Sequence, residues 1–174
     1  HKRIAPKGYA HHVMSKSIRG ERIFGKQQYK DYFAWLLEEA QNKFSLKISN
    51  FCIMDTHFHL LIEPLGEDTL STIMHWIKFR YAIRYNKWEN RSGHVFASRF
   101  KNKVIWNMNQ FFRTFSYISD NVKDLDGEVK AEEYEYCGSY HLKNKISRIM
   151  RKIDAEIQNA FAIIHPGLPE LELK

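Results

Sequence analysis

The stretch Asp55-Thr56-His57-Phe58-His59-Leu60-Leu61-Ile62 decides how the rest of the chain is read. Phe58, Leu60 and Ile62 alternate with His57, His59 and Leu61, the period-two pattern of a β-strand. Side chains two apart on a strand share a face. His57 and His59 therefore project together, and Phe58 turns to the other side. Two imidazoles on one face make half a metal site, because neutral imidazole is a common ligand of divalent ions. A merely solvated strand face would carry the same pattern, so the missing donors must come from elsewhere.

The neighbours of this strand set the fold. Leu46 to Met54 reads as a second strand, and Asp55-Thr56 is a tight connection that makes the pair a hairpin. Pro64 and Gly66 end the histidine strand. Upstream, Tyr29, Phe33, Leu36, Leu37, Ala40 and Phe44 follow helical spacing and predict a helix from Lys26 to Phe44. Before it, Tyr9 to Ile18 carries a strand pattern, with Tyr9, His11 and Val13 on one parity, closed by an Arg19-Gly20-Glu21-Arg22 turn. Downstream, Asp68 or Thr69 can cap a helix from Thr69 to Trp88, whose buried face is Leu70, Ile73, Ile77, Tyr81 and Trp88. His94 to Trp106 reads as one long or two short strands. A third helix is expected over Asn109 to Val122, with Phe111, Phe115, Ile118 and Val122 as its core stripe. Asp124 to Glu135 is acidic and turn-rich, and residues 143–164 predict a last amphipathic helix through Ile146, Ile149, Ile153, Ile157 and Ile164.

Strand, helix, strand, strand, helix, strand is the ferredoxin-like (RRM-like) α+β order: an antiparallel sheet with helices packed on one face. The other face is expected to be open. Residues 1–142 form the folded unit, and 143–174 a C-terminal helical extension of it.

Composition narrows the function. The chain has 174 residues, 44% hydrophobic and 14% aromatic, enough to bury a core. Two cysteines, Cys52 and Cys137, exclude a disulfide framework and point to a reducing compartment. No apolar run approaches membrane-spanning length. A soluble protein of bacterial type is expected, cytoplasmic and nucleoid-associated, with no membrane partner. The net charge of +7 is unevenly spread: residues 1–30 hold eight Lys/Arg against one Glu, and residues 78–103 hold eight against one Glu. Two separated basic segments suggest a polyanion held between them. Arg80, Arg84, Lys87 and Arg91 recur at helical spacing as a basic stripe. Candidate DNA contacts are Arg19, Arg22, Arg80, Arg84, Lys87, Arg99, Lys101 and Lys103.

Tyr117 and Asn121 are four apart on the third predicted helix, so they are surface neighbours beside its apolar stripe. His57, His59 and the amide oxygen of Asn121 could hold a divalent cation, and the Tyr117 hydroxyl could attack a phosphate polarised by it. A boundary tyrosine and a helix-terminal asparagine would give the same spacing.

The motifs and their order resemble those of the HUH single-tyrosine transposases, and within them the REP-associated tyrosine transposases. The likeness spans roughly Gly8 to His141. It rests on Tyr9 with His12-Val13, Arg22-Ile23-Phe24, Met54-x-x-His57-Phe58-His59-Leu60-Leu61, Lys78-Phe79-x-Tyr81-Ala82 and Tyr85-Asn86. It continues through Gly93-His94-Val95-Phe96, Arg99-Phe100-Lys101, Tyr117-Ile118-x-x-Asn121 and Ser139-Tyr140. The resemblance implies His57, His59 and Asn121 as metal ligands, Mg²⁺ or Mn²⁺ as cofactor, and Tyr117 as nucleophile. It also implies nicking and transfer of single-stranded DNA, often beside a hairpin, through a 5′-phosphotyrosine. The role would be transposition or a host-domesticated version of it. A homodimer is one candidate assembly. Two departures stand out: Thr56 where the family commonly has Asn, and Asn121-Val122 where it commonly has Asn-Pro. Two rival functions remain on sequence alone. One is a non-catalytic single-stranded DNA or RNA-binding module. The other is a hydrolytic metalloenzyme, whose signature Leu61 leaves incomplete.

Overall fold

The computed structural model describes residues 8–125 and 127–151. Its elements are β1 (His11–Lys16), α1 (Gln27–Lys43), β2 (Leu46–Ile53), β3 (His57–Pro64), α2 (Leu70–Trp88), β4 (Lys101–Val104), α3 (Met108–Asp120) and α4 (Gly138–Lys143). Short 3-10 turns follow β1 (Ile18–Gly20) and α3 (Asn121–Asp124). The four strands form one antiparallel sheet in the order β2-β3-β1-β4. The ferredoxin-like order read from the sequence is therefore the one adopted.

The predicted hairpin is closed across Asp55-Thr56, where the Met54 N–H donates to the His57 carbonyl at 2.8 Å. β3 pairs β1 on its other side, with His12 opposite Leu61, Met14 opposite His59 and Lys16 opposite His57. β4 then pairs β1, with Lys103 opposite His12 and Lys101 opposite Met14. Directly opposed residues in antiparallel strands share a face. One face thus carries Val13, Phe58, Leu60 and Ile62. The other carries His12, Met14, Lys16, His57, His59, Leu61, Lys101 and Lys103.

The first face is the main core. The Phe33 ring meets Phe58 at 4.6 Å and Phe24 at 5.0 Å between centroids, and Tyr81 stacks onto Phe24 at 4.8 Å. The buried Tyr81 hydroxyl donates to the Ile23 carbonyl at 2.6 Å, so its one polar group is satisfied. α1 and α2 form the layer over this face. α2 starts where Thr69 caps it, the Oγ1 accepting from the Thr72 N–H at 3.1 Å.

A register shift in β2 between Ile48 and Asn50 changes the parity of that strand. Ile48 lies on the core face, whereas Asn50, opposite Leu61, and Cys52, opposite His59, lie on the histidine face. This face is not open, as the sequence suggested. α3 lies across its β2–β3 half. The cause is α3 itself, since Phe111, Phe115 and Ile118 are a buried stripe that needs an apolar partner. The β1–β4 half keeps exposed Lys16, Lys101 and Lys103.

A second correction concerns the C-terminal helix over residues 143–164. Helical structure covers Gly138–Lys143 instead, and residues 144–151 form turns and irregular chain. Ile149, one position of the predicted stripe, is buried there with its neighbour Met150 on irregular chain. Residues 152–164 of that prediction lie outside the described residues.

Candidate active site

α3 is held to the sheet by polar bonds as well as apolar ones. The buried Asn50 amide donates to the Phe115 carbonyl at 2.9 Å and to the Ser119 hydroxyl at 3.0 Å, and its Oδ1 accepts from the Phe51 N–H at 2.8 Å. Ser119 is bonded onward to Ser139 of α4 at 2.8 Å. Asn107 fixes the start of α3, its side chain accepting from the Gln110 N–H at 2.9 Å.

This docking lays Tyr117 over the histidines. Its ring centroid is 5.7 Å from His59 and 5.6 Å from His12, edge-on to both, while the side chain stays 54% exposed. His57 and His59 stand edge to face with centroids 5.2 Å apart. Asn121 follows in the 3-10 turn, and its amide nitrogen donates to the Tyr117 carbonyl at 2.7 Å. The same side chain meets the His57 ring. The four residues named from spacing, Tyr117, His57, His59 and Asn121, are therefore brought together. Val122, the residue in place of the family's proline, is buried.

Each histidine has one ring nitrogen occupied. The Thr56 hydroxyl lies 3.1 Å from His57 Nδ1, so the departure from Asn at this position still supplies a polar partner. His59 Nδ1 is 2.8 Å from Nε2 of His12, whose ring stacks on it at 5.1 Å. Burial pushes the His59 imidazole down to about 3, helped by His12, His57 and Lys16. Burial and Lys103 take His12 down to about 4. Burial and Lys16 lower His57, against opposing effects of Asp124 and Asn121. All three rings are neutral at neutral pH, the form in which imidazole offers a lone pair. Among the described residues no three His, Cys, Asp or Glu side chains converge as a metal cluster. The amide oxygen of Asn121 is the candidate third donor beside His57 and His59.

His12 is the site residue that sequence reasoning did not assign a role. Its parity in β1 differs from that of His11 and Val13, but only the pairing of Met14 with His59 puts it beside the second histidine. Lys16 was missed for the same reason.

The candidate DNA contacts divide. Lys101 and Lys103 share the sheet face of the histidines, and Arg99 lies in the exposed approach to β4. Arg19 is exposed in the 3-10 turn after β1. Arg22 is already paired, donating to Asp55 Oδ2 through Nε at 3.0 Å, and Lys30 binds Asp55 Oδ1 at 2.6 Å. Arg80, Arg84 and Lys87 lie on α2, across the sheet from Tyr117. Arg80 sits over the Trp76 ring, and Arg84 over Tyr32 and Trp88.

The family that the sequence matches makes this chain a DNA-processing transposase. The chain belongs to the IS200-like transposase family, described as "Transposase IS200 like", whose match covers residues 5–124. Among solved structures it is similar to a REP-associated tyrosine transposase bound to a REP hairpin, with 17% identity, TM-score 0.66 and 88% of each chain covered. A candidate transposase from Deinococcus radiodurans R1 is also similar, at 11% identity and TM-score 0.48, over 71% of this chain and 96% of that one. No curated protein matches by sequence. Among the described residues no helix is long and apolar enough to cross a membrane.

Proposed function

We propose that this transposase cuts and rejoins single-stranded DNA through Tyr117, with His57, His59 and Asn121 holding Mg²⁺ or Mn²⁺. The observation that carries this reading is the convergence of an exposed tyrosine with two neutral histidines and one amide on a single sheet face. The donor set fits a cation. With the tautomers assigned so that His59 Nδ1–H donates to His12 Nε2 and His57 Nδ1–H donates to the Thr56 hydroxyl, both Nε2 lone pairs are available. The Asn121 amide nitrogen is tied to the Tyr117 carbonyl, which leaves Oδ1 as the donor atom. When bound, the cation supplies Lewis-acid polarisation of the phosphate and stabilises the leaving oxygen.

In the reaction, Tyr117 Oη attacks the phosphorus. The bond from phosphorus to the 3′-oxygen breaks, the phenol proton is lost, and the 3′-oxygen takes one up. The products are a free 3′-hydroxyl and a 5′-phosphotyrosine. One ester replaces another, so the energy of the cut bond is kept for rejoining to a second 3′-hydroxyl. His12 and His59 flank the tyrosine ring and restrict its rotation. Lys16, Lys101 and Lys103 attract the strand to this face. The hairpin bound by the similar REP-associated enzyme suggests that a hairpin flanks the cut strand here too.

Tyr117→Phe tests the reading with little effect on stability, because a half-exposed hydroxyl is lost and the ring is kept. Wild-type protein, incubated with Mn²⁺ and pooled single-stranded hairpin oligonucleotides, should give a denaturant-resistant adduct that Tyr117→Phe abolishes. Cutting at the same phosphodiester by Tyr117→Phe would remove the phosphotyrosine mechanism.

A further inference from the structure

Between α2 and residues 93–100 lies a groove of about 910 Å³ that plays no part in the mechanism above. Several motifs singled out in the sequence meet there: Phe79, Asn86, His94 and Arg99. Phe79 and Ile83 of α2 are each 56% exposed, one helical turn apart, on its wall. Exposed apolar side chains grouped in a concavity mark a binding surface. No carboxylate lines the groove, whereas Lys78 and Arg99 do. Asn86 lines it as well: its amide nitrogen donates to the Gly93 carbonyl at 2.9 Å, but its Oδ1 is buried and accepts from nothing among the described residues.

The groove also adjoins the candidate site. Residues 93–100 lead directly into β4, and Ile18, two residues past Lys16, lines the same groove. Arg99 at the groove and Lys101 on the histidine face are two residues apart, roughly 7 Å along an extended chain. That is about one nucleotide step. A strand crossing Lys103 and Lys101 toward the tyrosine would pass Arg99 at the sheet edge.

We infer that this groove receives an unpaired base of the single strand, stacked on Phe79, with its phosphate at Arg99. This rests on the strand-cutting reading for the identity of the ligand. Every base carries a π-face, available in a single strand and covered by its neighbours in a duplex, so the exposed Phe79 ring suits single-stranded nucleic acid better than a duplex. Positive lining argues for the same occupant.

Fluorescence anisotropy tests it with full-length protein, a fluorescein-labelled oligothymidylate, and a fully abasic strand of equal length. Stacking on one aromatic ring contributes roughly tenfold in affinity or more. Phe79→Ala should therefore weaken oligothymidylate binding about tenfold and leave abasic-strand binding unchanged. Phe79→Trp should restore the difference. Equal losses on both strands, or no loss on either, would overturn the inference. So would a Phe79→Ala change in sedimentation from dimer to monomer without a change in DNA affinity, which would make the groove a self-association surface. Absence of a wild-type adduct would refute strand cutting alone, since anisotropy reads the groove without cleavage.

Discussion

Replacing Asn50 by Ala should loosen the helix that carries the nucleophile, and the size of the effect can be worked out. Asn50 is fully buried and makes three bonds, to the Phe115 carbonyl, the Ser119 hydroxyl and the Phe51 N–H. Ser119 keeps its bond to Ser139 when Asn50 is lost. The Phe115 carbonyl loses a partner, and the Phe51 N–H loses a bond that no side chain at an alanine can replace. The Phe115 carbonyl keeps its helical bond from the Ser119 N–H, so one buried group, the Phe51 N–H, is left unsatisfied at about 1–3 kcal/mol. The space is not free to refill: an added Cβ on Gly138 would lie 2.2 Å from Asn50 Oδ1, which shows how closely α4 fits against this amide. The two donated bonds lost with the amide and the space it leaves add to that figure, and about 3 kcal/mol is expected. With a urea slope of about 2 kcal/mol per molar, the midpoint should fall by roughly 1.5 M. The assay is urea unfolding followed by tryptophan fluorescence. Adduct formation under folding conditions should also slow more than DNA binding weakens, because α3 sets where Tyr117 sits. A midpoint within about 0.2 M of wild type would refute the view that directional bonds hold α3.

Other expectations follow from the same geometry. His57→Ala, His59→Ala and Asn121→Ala should each weaken Mn²⁺ binding in calorimetric titration, and Mn²⁺ should bind more tightly than Mg²⁺ because two of three donors are imidazoles. Wild-type affinity in all three variants would end the metal assignment. Log affinity for a single strand against log salt should slope by roughly −3 if Lys16, Arg99, Lys101 and Lys103 are the phosphate contacts. Charge reversal at Lys101 and Lys103 should flatten it, and reversal at Arg80 and Arg84 should not. His141 is lowered by burial, and by Arg148, against its bond to the Glu135 carbonyl. A depressed histidine is protonated first in the unfolded chain, so stability is complete above about pH 6.5 and is lost as pH falls below it. His141→Gln should make that acid loss shallower in melts across pH, and a parallel curve would refute the assignment.

Much of this was legible in the sequence because it is periodic. The hairpin at Asp55-Thr56, the stripes of α1, α2 and α3, and the Tyr117–Asn121 pair all follow from spacings of two or of three and four. Register is what spacing cannot supply. His12 and Lys16 become site residues only because Met14 opposes His59 and Lys16 opposes His57. The shift between Ile48 and Asn50 has a trace in the sequence, since the apolar positions of β2 change from Leu46 and Ile48 to Phe51 and Ile53. The pattern over residues 143–151 misled because buried residues on irregular chain have no obligatory period. Summed charge misled as well: Arg22 and Lys30 bind Asp55, Lys26 binds Glu89, and Arg91 binds Glu21, so part of each basic segment is already neutralised.

The two faces of the sheet divide the work. The face under α1 and α2 is almost wholly apolar, and apolar burial is strong but non-directional. The face under α3 has a stricter task, because a helix turns by about 100° per residue and a small rotation would carry Tyr117 away from the histidines. Asn50, Ser119 and Ser139 form a buried chain of hydrogen bonds at that point, and hydrogen bonds fix direction within narrow limits. The Asn121 amide adds a second restraint, bonded to the Tyr117 carbonyl within one turn of the nucleophile. A mostly apolar α3 interface would serve stability equally well, so the buried polar chain is better understood as setting the orientation of the tyrosine.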